Sequence, residues 1–242
     1  MYAIDIQGLS KRYGKTLAVD SLTLQVPEGE LLALLGVNGA GKTTTVKMLS
    51  CLTRPTEGEA YLLGKSIRRD TAAVKALISV SPQETAVAPG LTVMENLELM
   101  CGVHGFSKEK REEKIRELTR LLSLEAVLHK KAGKLSGGWQ RRLSIAMALI
   151  SEPRILFLDE PTLGLDVLAR AELWKIISAL KGKITVILTT HYMEEAEALS
   201  DRVAIMKDGR LLVCDTPMSI KTATQTESFE QAFIRIVQEV RA

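Results

Sequence analysis

The chain has 242 residues, 46% of them apolar, which is enough to bury a substantial core in one large domain or two small ones. Its 32 basic and 29 acidic residues give a net charge of +3, a balance that argues against a nucleic-acid-binding or membrane-binding surface. Three isolated cysteines predict neither a disulfide framework nor a metal site, and they fit a reducing cytosol. No signal peptide is evident, and no stretch approaches the roughly 18 apolar residues that span a bilayer. We therefore expect any work at a membrane to go through a partner.

The first third of the chain is typical of β-structure. Apolar and polar residues alternate in 2–9 and 19–26, and no helix-period segment follows either run, so the pattern predicts a small antiparallel sheet. Leu31–Leu35 is continuously apolar, as expected of a strand buried on both faces. Shorter strands are predicted at 59–63 and 76–80.

A glycine-rich loop follows Leu31–Leu35 and leads into a helical run, 44–49. The order of strand, glycine loop and helix is the context that a phosphate-binding loop requires. Glycines let the backbone curl so that its N–H groups point at phosphate oxygens, and the helix adds its positive amino-terminal end. We then expect Lys42 to contact the β- and γ-phosphates and the Thr43 hydroxyl to ligate Mg²⁺. The alternative is a glycine-rich turn that matches by chance. The loop is Gly36-Val37-Asn38-Gly39-Ala40-Gly41-Lys42-Thr43.

The middle third is mostly helical, from Thr92 to about Ser151. Thr92 and Glu95 match a capping box ahead of an apolar-rich helix. Residues 107–124 are dense in charge with one apolar stripe, a pattern typical of a solvated helix face. An all-helical insert at about 90–151, between two α/β portions, indicates a separate subdomain.

Ser136, Gly137 and Gly138 stand at the start of another helical run, 141–150. A serine cap with exposed N–H groups is a second anion cradle. One nucleotide needs no second cradle so far away in sequence, unless a neighbouring chain supplies it. Taken alone, an ordinary helix cap explains this segment better.

The last third returns to α/β structure. Strands are predicted at 155–158, 184–189 and 202–206, and helices at 167–180 and 194–199. Lys207-Asp208-Gly209-Arg210 predicts a hairpin to a strand at 211–214. The segment from Ser228 has helical spacing of its apolar residues, with Gln231 completing a candidate capping box. Those apolar residues are Phe229, Phe233, Ile236, Val237 and Val240.

Asp159 and Glu160 end the apolar strand 155–158. In an open α/β sheet the carboxyl end of a buried strand lies beside the phosphate loop. Asp159 would hold Mg²⁺ through water there, and Glu160 would polarise a water for attack on the γ-phosphate. Many strands end in an acidic turn, so the motif gains its force only from the phosphate loop.

With these motifs in this order, residues 2–217 resemble the nucleotide-binding ATPase subunit of ABC transporters. The resemblance implies an α/β fold: a P-loop NTPase core with a mostly parallel sheet, an N-terminal antiparallel β subdomain and an inserted helical subdomain. It implies one ATPase domain, 1–217, and a short helical tail, 218–242. The matching segments are Walker A (Gly36–Thr43), the Q-loop (Gln83), the signature (Leu135–Gln140), Walker B (Ile155–Glu160), the D-loop (Leu163–Asp166) and the switch histidine (His191).

The resemblance also assigns roles. It makes Glu160, His191 and Gln83 catalytic, and it makes Thr43, Gln83 and Asp159 the Mg²⁺ ligands. Tyr13 matches the position that stacks on adenine, although a tyrosine in a turn is more often plain packing. The implied ATP-binding residues are Tyr13, Gly36, Asn38, Gly39, Ala40, Gly41, Lys42, Thr43, Thr44, Ser136, Gly137, Gly138 and Asp166.

Two positions depart from the commonest pattern, since Trp139 stands where the signature usually has Gln, and Leu163 where the D-loop often has Ser. The implied mechanism is a clamp in which two copies, or one copy and a paralogous ATPase subunit, close on two ATPs. The signature of each copy then contacts the γ-phosphate held by the other. Hydrolysis reopens the pair and moves a membrane permease through residues 84–105.

The function expected is thus ATP hydrolysis at the cytoplasmic face of a membrane, coupled to a separate permease. His191–Glu197, Thr43–Thr45 and Asp215–Pro217 resemble the export-type subunits for drugs, antibiotics, sodium or lipids. An alternative is a soluble ABC-type ATPase acting on ribosomes or DNA, but the chain has one module and neither coiled-coil nor zinc insertions. A P-loop kinase is a third class, against which the signature and His191 argue. The sequence encodes neither the transported substrate nor the partner's identity.

Overall fold

The computed structural model describes residues 1–239. An antiparallel sheet occupies the N-terminal part, where β1 (Tyr2–Tyr13) pairs with both β2 (Thr16–Pro27) and β4 (Glu57–Leu62). The short β5 (Lys65–Ser66) adds to β4, which gives the order β2-β1-β4-β5. Alternating residues of β1, among them Ile4 and Ile6, are buried, as the period-2 pattern predicts.

The second sheet has six strands in the order β10-β9-β3-β8-β7-β6. All neighbours are parallel except β9 and β10, which form the predicted hairpin at Asp208 and Gly209. The central strands β3, β7 and β8 are buried along their whole length, which fits the continuously apolar sequence of β3 and the apolar first four residues of β7, while β8 also buries threonines at both ends. The strand bounds are β3 (Leu31–Leu35), β6 (Ile78–Ser81), β7 (Ile155–Asp159), β8 (Thr185–Thr190), β9 (Arg202–Lys207) and β10 (Arg210–Asp215).

The parallel register decides where the site lies. Leu35 is paired with Thr190, and Asp159 is paired with Thr189, so β3, β7 and β8 end at one edge of the sheet. The segments that follow these strands therefore meet at that edge.

Helices cover the sheet. Their bounds are α1 (Lys42–Leu49), α2 (Thr71–Leu77), α3 (Val93–Val103), α4 (Lys108–Leu121), α5 (Gly137–Leu149), α6 (Val167–Ser178), α7 (Met193–Leu199), α8 (Pro217–Thr224) and α9 (Phe229–Glu239). None of the helices in residues 1–239 is both long enough and apolar enough to cross a bilayer. The fold class expected from the sequence is confirmed, with an antiparallel sheet, a mostly parallel sheet and helices inserted between strands.

The predicted helical insert, 90–151, contains α3, α4 and α5. The capping box of α3 is confirmed: Thr92 Oγ1 accepts from the Glu95 N–H at 3.1 Å, and Glu95 Oε2 accepts from the Thr92 N–H at 2.7 Å. Buried side chains of these helices share a core with β3, β7 and β8. The insert therefore packs on one face of the parallel sheet.

Two sequence expectations are wrong in detail. Residues 76–80 were expected to form a strand, but α2 extends to Leu77 and β6 begins at Ile78, where it pairs with Ile155 of β7. A short apolar run fits either element, and pairing with β7 decides. Ser136 was expected to cap α5, yet its side chain makes no capping hydrogen bond with a described residue.

The C-terminal segment, expected as a short helical tail, packs against the parallel sheet. Phe229, Ala232 and Phe233 of α9 are buried against Leu35 of β3 and Ile205 of β9. Of the candidate cap, the Gln231 N–H donates to Ser228 Oγ at 3.2 Å. Val240, the last residue of the predicted stripe, lies outside the described residues. Helix α8 lies almost entirely within the segment expected as a short helical tail, 218–242, although no separate helix was predicted there.

Candidate nucleotide site

The glycine loop lies tightly against its neighbours. A Cβ on Gly36 would lie 2.4 Å from the Met206 carbonyl oxygen, and one on Gly41 would lie 2.6 Å from the Ala18 carbonyl oxygen. Gly41 also has a φ of 100°, a backbone conformation that residues with a side chain rarely adopt. Both positions need glycine for the loop to curl between β3 and α1. The loop therefore forms a backbone-lined concavity at the carboxyl edge of the sheet.

Lys42 is only 5% exposed at the base of this concavity. Its Nζ donates to the Gly36 and Val37 carbonyl oxygens at 2.7 and 3.3 Å and lies 3.7 Å from Glu160 Oε1. Burial lowers the pKa of Lys42, while the negative charges of Glu160 and Asp159 act in the opposite direction. A buried cation whose hydrogen-bond partners are neutral carbonyl oxygens is suited to an incoming polyanion.

Two of the predicted Mg²⁺ ligands lie together. Thr43 Oγ1 donates to Asp159 Oδ1 at 3.2 Å, and the Thr189 hydroxyl donates a short hydrogen bond to the same oxygen. These are hard oxygen donors of the kind that Mg²⁺ prefers, so the residues present fit that ion. Within residues 1–239 no cluster of three or more His, Cys, Asp or Glu side chains could hold a metal by itself.

Glu160 and His191 form a close pair, with Glu160 Oε2 and His191 Nδ1 2.9 Å apart. Glu160 has a φ of 46°, a left-handed conformation that costs about 1–2 kcal/mol for an ordinary side chain. Its N–H donates to the Thr189 carbonyl at 3.1 Å and to the Thr189 hydroxyl at 3.0 Å, which holds the turn in place. This turn aims the carboxylate at Lys42 and His191.

Gln83 lies on the same cavity, on the loop after β6. The buried Arg141 guanidinium of α5 donates to the Pro82 carbonyl at 2.6 Å and, in a short hydrogen bond, to the Gln83 carbonyl. Burial lowers the pKa of Arg141. The insert is thus tied directly to the loop that carries Gln83.

A cavity of about 810 Å³ joins these groups. Several of its lining residues were not predicted from the sequence. The sequence predicts a hairpin turn at Asp208, but it does not predict that this turn lies beside the cavity. Tyr13 is not among the lining residues; it lies half exposed at the end of β1, with Lys11 Nζ 4.9 Å from its ring centroid. The lining residues are Thr16, Leu17, Ala18, Asn38, Gly39, Ala40, Gly41, Lys42, Thr43, Thr44, Gln83, Glu160, Leu163, His191 and Asp208.

The remaining predicted residues lie elsewhere on the surface. Ser136 and Gly137 are exposed at the start of α5, and a Cβ on Gly138 would lie 3.0 Å from Ala169 Cβ of α6. Asp166 caps α6, its Oδ1 accepting from the Ala169 N–H at 2.9 Å. The start of α5 thus lies beside the start of α6, and none of these four residues lines the cavity of their own chain.

Comparison with known proteins agrees with this geometry. The family model for the ABC transporter matches residues 19–163. The daunorubicin/doxorubicin resistance ATP-binding protein DrrA of Streptomyces peucetius is 41% identical over 222 residues, which cover 91% of this chain and 67% of the relative. The human phospholipid-transporting ATPase ABCA3 is 40% identical over 222 residues, 90% of this chain and 13% of that protein. This chain thus spans about an eighth of the length of ABCA3.

Solved structures give the same result. A structure of an ATP-binding subunit of an ABC transporter superposes with a TM-score of 0.86 at 28% identity, covering 97% of this chain and 99% of that one. The dimeric, post-hydrolysis structure of the ATP-binding cassette MJ0796 with ADP and Pi superposes with a TM-score of 0.77 at 28% identity, covering 88% and 98%. Family model, relatives and fold agree, and the chain belongs to the ABC transporter family as one of its ATPase domains.

Proposed function

We propose that this chain hydrolyses ATP at the cytoplasmic face of a membrane, as a peripheral subunit that energises a separate permease of the export type. The observation that carries the proposal is the convergence of Lys42, the Thr43–Asp159 pair and the Glu160–His191 pair on one cavity. A polyphosphate, a metal ion and an attacking water each have suitable groups there.

ATP binding uses the loop and the elements beside it. The phosphates lie against residues 36–44, where Lys42 exchanges its carbonyl partners for phosphate oxygens. The half-exposed Tyr13 ring is available to stack on adenine. Thr43, Asp159 and Gln83 would hold Mg²⁺, which neutralises charge on the phosphate oxygens when it is bound.

Hydrolysis uses the pair at the end of β7 and β8. Glu160 accepts a hydrogen bond from the attacking water and polarises it toward the γ-phosphate. His191, held 2.9 Å from Glu160, hydrogen-bonds the γ-phosphate from the neighbouring strand end. Gln83 approaches from the third side and links the site to the insert through Arg141.

A second copy, or a paralogous subunit, completes each site. The exposed Ser136 and Gly137, with the half-buried Gly138, present the amino terminus of α5, an anion-binding feature with no anion to bind in its own chain. A face-to-face pair of chains puts this terminus against the γ-phosphate of the partner. The MJ0796 cassette, which is dimeric with ADP and Pi in its post-hydrolysis state, supports this arrangement.

We propose that the permease contacts the insert. Leu99 and Val103 of α3 are exposed apolar side chains, close in sequence to the Gln83 loop that senses the nucleotide. Export is favoured by the similarity to a protein named for daunorubicin and doxorubicin resistance. Purification of the tagged chain from membranes, with mass spectrometry, tests whether the chain binds a permease. Recovery of a multi-span membrane protein supports the proposal, and recovery of ribosomes or DNA-binding proteins instead would support the soluble alternative.

The hydrolytic role is tested with Glu160→Gln. We expect the ATPase rate to fall about 10²–10⁴-fold, because the carboxylate that polarises water is gone. ATP binding is retained, and an ATP-bound dimer accumulates in size-exclusion chromatography. Glu113→Gln, an exposed carboxylate on α4, is the matched control and should behave as wild type. A fully active Glu160→Gln variant would remove Glu160 from the mechanism.

A further inference from the structure

Behind the nucleotide site lies a buried polar cluster that the mechanism above does not use. Glu195 of α7 has no exposed surface, and its Oε1 accepts from Trp174 Nε1 of α6 at 3.1 Å. Burial raises the pKa of the Glu195 carboxyl, while the nearby Thr190 and Thr162 hydroxyls, the Trp174 indole and the charge of Arg170 act in the opposite direction.

The cluster is incompletely paired. Within residues 1–239, three buried side-chain polar atoms lack a hydrogen-bond partner, namely Thr162 Oγ1, Arg170 Nε and Glu195 Oε2. All three belong to this cluster. Buried polar atoms without partners cost free energy, and an apolar side chain of similar volume at position 195 would avoid that cost. Stability alone therefore does not account for a carboxyl here.

Contacts lead from this cluster to the catalytic pair. The Arg170 guanidinium lies over the Tyr192 ring, 4.8 Å from its centroid. The Tyr192 ring centroid lies 4.2 Å from that of His191, and His191 contacts Glu160 at 2.9 Å. Thr162 follows Glu160 by two residues, so the cluster borders both halves of the catalytic pair.

We propose that Glu195 is a positioning residue that locks α6 to α7, so that Arg170 and Tyr192 hold His191 in register with Glu160. This inference rests on the proposed ATPase function of the site. The role of Glu195 is to fix the imidazole of His191, and Glu195 touches neither the nucleotide nor the attacking water. Misplacement of His191 by a fraction of an ångström weakens γ-phosphate contacts in the transition state more than it weakens ATP binding.

The test measures kcat and KM for ATP with the full chain. We expect Glu195→Ala to lower kcat by about 10- to 100-fold with little change in KM. Glu195→Gln keeps an acceptor oxygen for Trp174 and should restore most of kcat. Glu194→Gln, the exposed neighbour on the same helix, is the matched control and should be unchanged.

A double-mutant cycle separates positioning from plain structural support. If Glu195 acts through His191, then adding Glu195→Ala to His191→Ala lowers kcat no further. Additive losses would overturn the inference, and so would an active Glu195→Ala variant, a Gln variant as damaged as the Ala variant, or a fully active His191→Ala variant. Should Glu195→Ala fail to fold, Trp174→Phe removes only the indole donor. Its smaller kcat loss must likewise vanish in the His191→Ala background. A wild-type chain without ATPase activity would instead overturn the proposed function itself.

Discussion

The two anion-binding features of this chain differ in how completely the chain itself supports them. The glycine loop exposes residues 37–39, but Gly36, Ala40 and Lys42 are buried, and Lys42 and the neighbouring Asp159 have partners within 3.7 Å. In the Ser136–Gly138 segment, Ser136 and Gly137 are exposed, no side-chain cap is formed, and the glycines lie mainly against the start of α6. One feature is held rigid by the fold, whereas the other is a bare helix terminus.

This difference indicates where a second molecule is needed. A loop whose Lys42 is buried beside Glu160, with Asp159 bound to Thr43, would be prepared to bind phosphates before any partner arrives. The exposed terminus has orphan N–H groups that water satisfies until an anion replaces it. We infer that the loop determines nucleotide affinity and that the terminus determines whether hydrolysis proceeds. Mutations on the two sides should therefore fail in different ways.

The largest effect is expected from Lys42→Ala on the buried side. Loss of the cation removes charge compensation at the phosphates, so we expect hydrolysis to fall about 10³-fold and ATP binding to weaken as well. Isothermal titration with a non-hydrolysable ATP analogue and a phosphate-release assay measure the two effects. Lys47→Ala, an exposed lysine on the same helix, is the control. Normal ATP binding by Lys42→Ala would contradict the assignment of affinity to this side.

Gly137→Asp tests the exposed side and should cost about 10²-fold in hydrolysis, because a carboxylate repels the partner's γ-phosphate. A Cβ at Gly137 meets only Leu165 Cδ2, at 3.7 Å, and an acidic residue suits a helix amino terminus. Folding and ATP binding by the single chain should therefore be unchanged. Gly137→Ala, which adds the Cβ without the charge, should be much milder.

Mixing the two variants sharpens the contrast. A pair made of one Lys42→Ala chain and one Gly137→Asp chain has one composite site with an intact loop and an intact signature. Partial recovery of hydrolysis on mixing supports a shared site, and equal inactivity of mixed and separate samples at all ratios would contradict it.

The sequence predicts most of the buried side, because strand burial and glycine spacing are local signals. The apolar runs in Leu31–Leu35 and Ile155–Asp159 predict strands that are buried on both faces. Because such strands end at the same edge of a parallel sheet, Gly36 and Asp159 are predicted to lie at that edge. It does not predict that Thr189 holds both the Asp159 carboxylate and the Glu160 N–H. That contact depends on β8 lying beside β7, which is a question of strand order.

Other features depend on packing that no local pattern encodes. The boundary between α2 and β6 is set by pairing with β7, and the burial of Phe229 and Phe233 follows from α9 covering β3 and β9. The burial of Glu195 could not be predicted from the sequence for a similar reason. In sequence it is one of three acidic residues on a short helix, and only the fold shows that Glu195 alone is buried while Glu194 and Glu197 are exposed.

The smallest effect concerns the stability of the buried polar cluster behind the nucleotide site, where Glu195 Oε2 has no hydrogen-bond partner. Its pKa is raised above the ordinary value of 4.5, so the folded state keeps a proton that the unfolded state loses. Stability of the wild type therefore falls as pH rises above about 4.5, relative to a side chain that never ionises. Glu195→Gln should then show a Tm advantage that is absent at low pH and grows toward neutral pH. In a domain of this size each kcal/mol changes Tm by about 2–4 °C, which scanning fluorimetry resolves. A Tm difference independent of pH would mean that the carboxyl of Glu195 ionises as readily in the folded chain as in the unfolded one, and burial would then not oppose its ionisation.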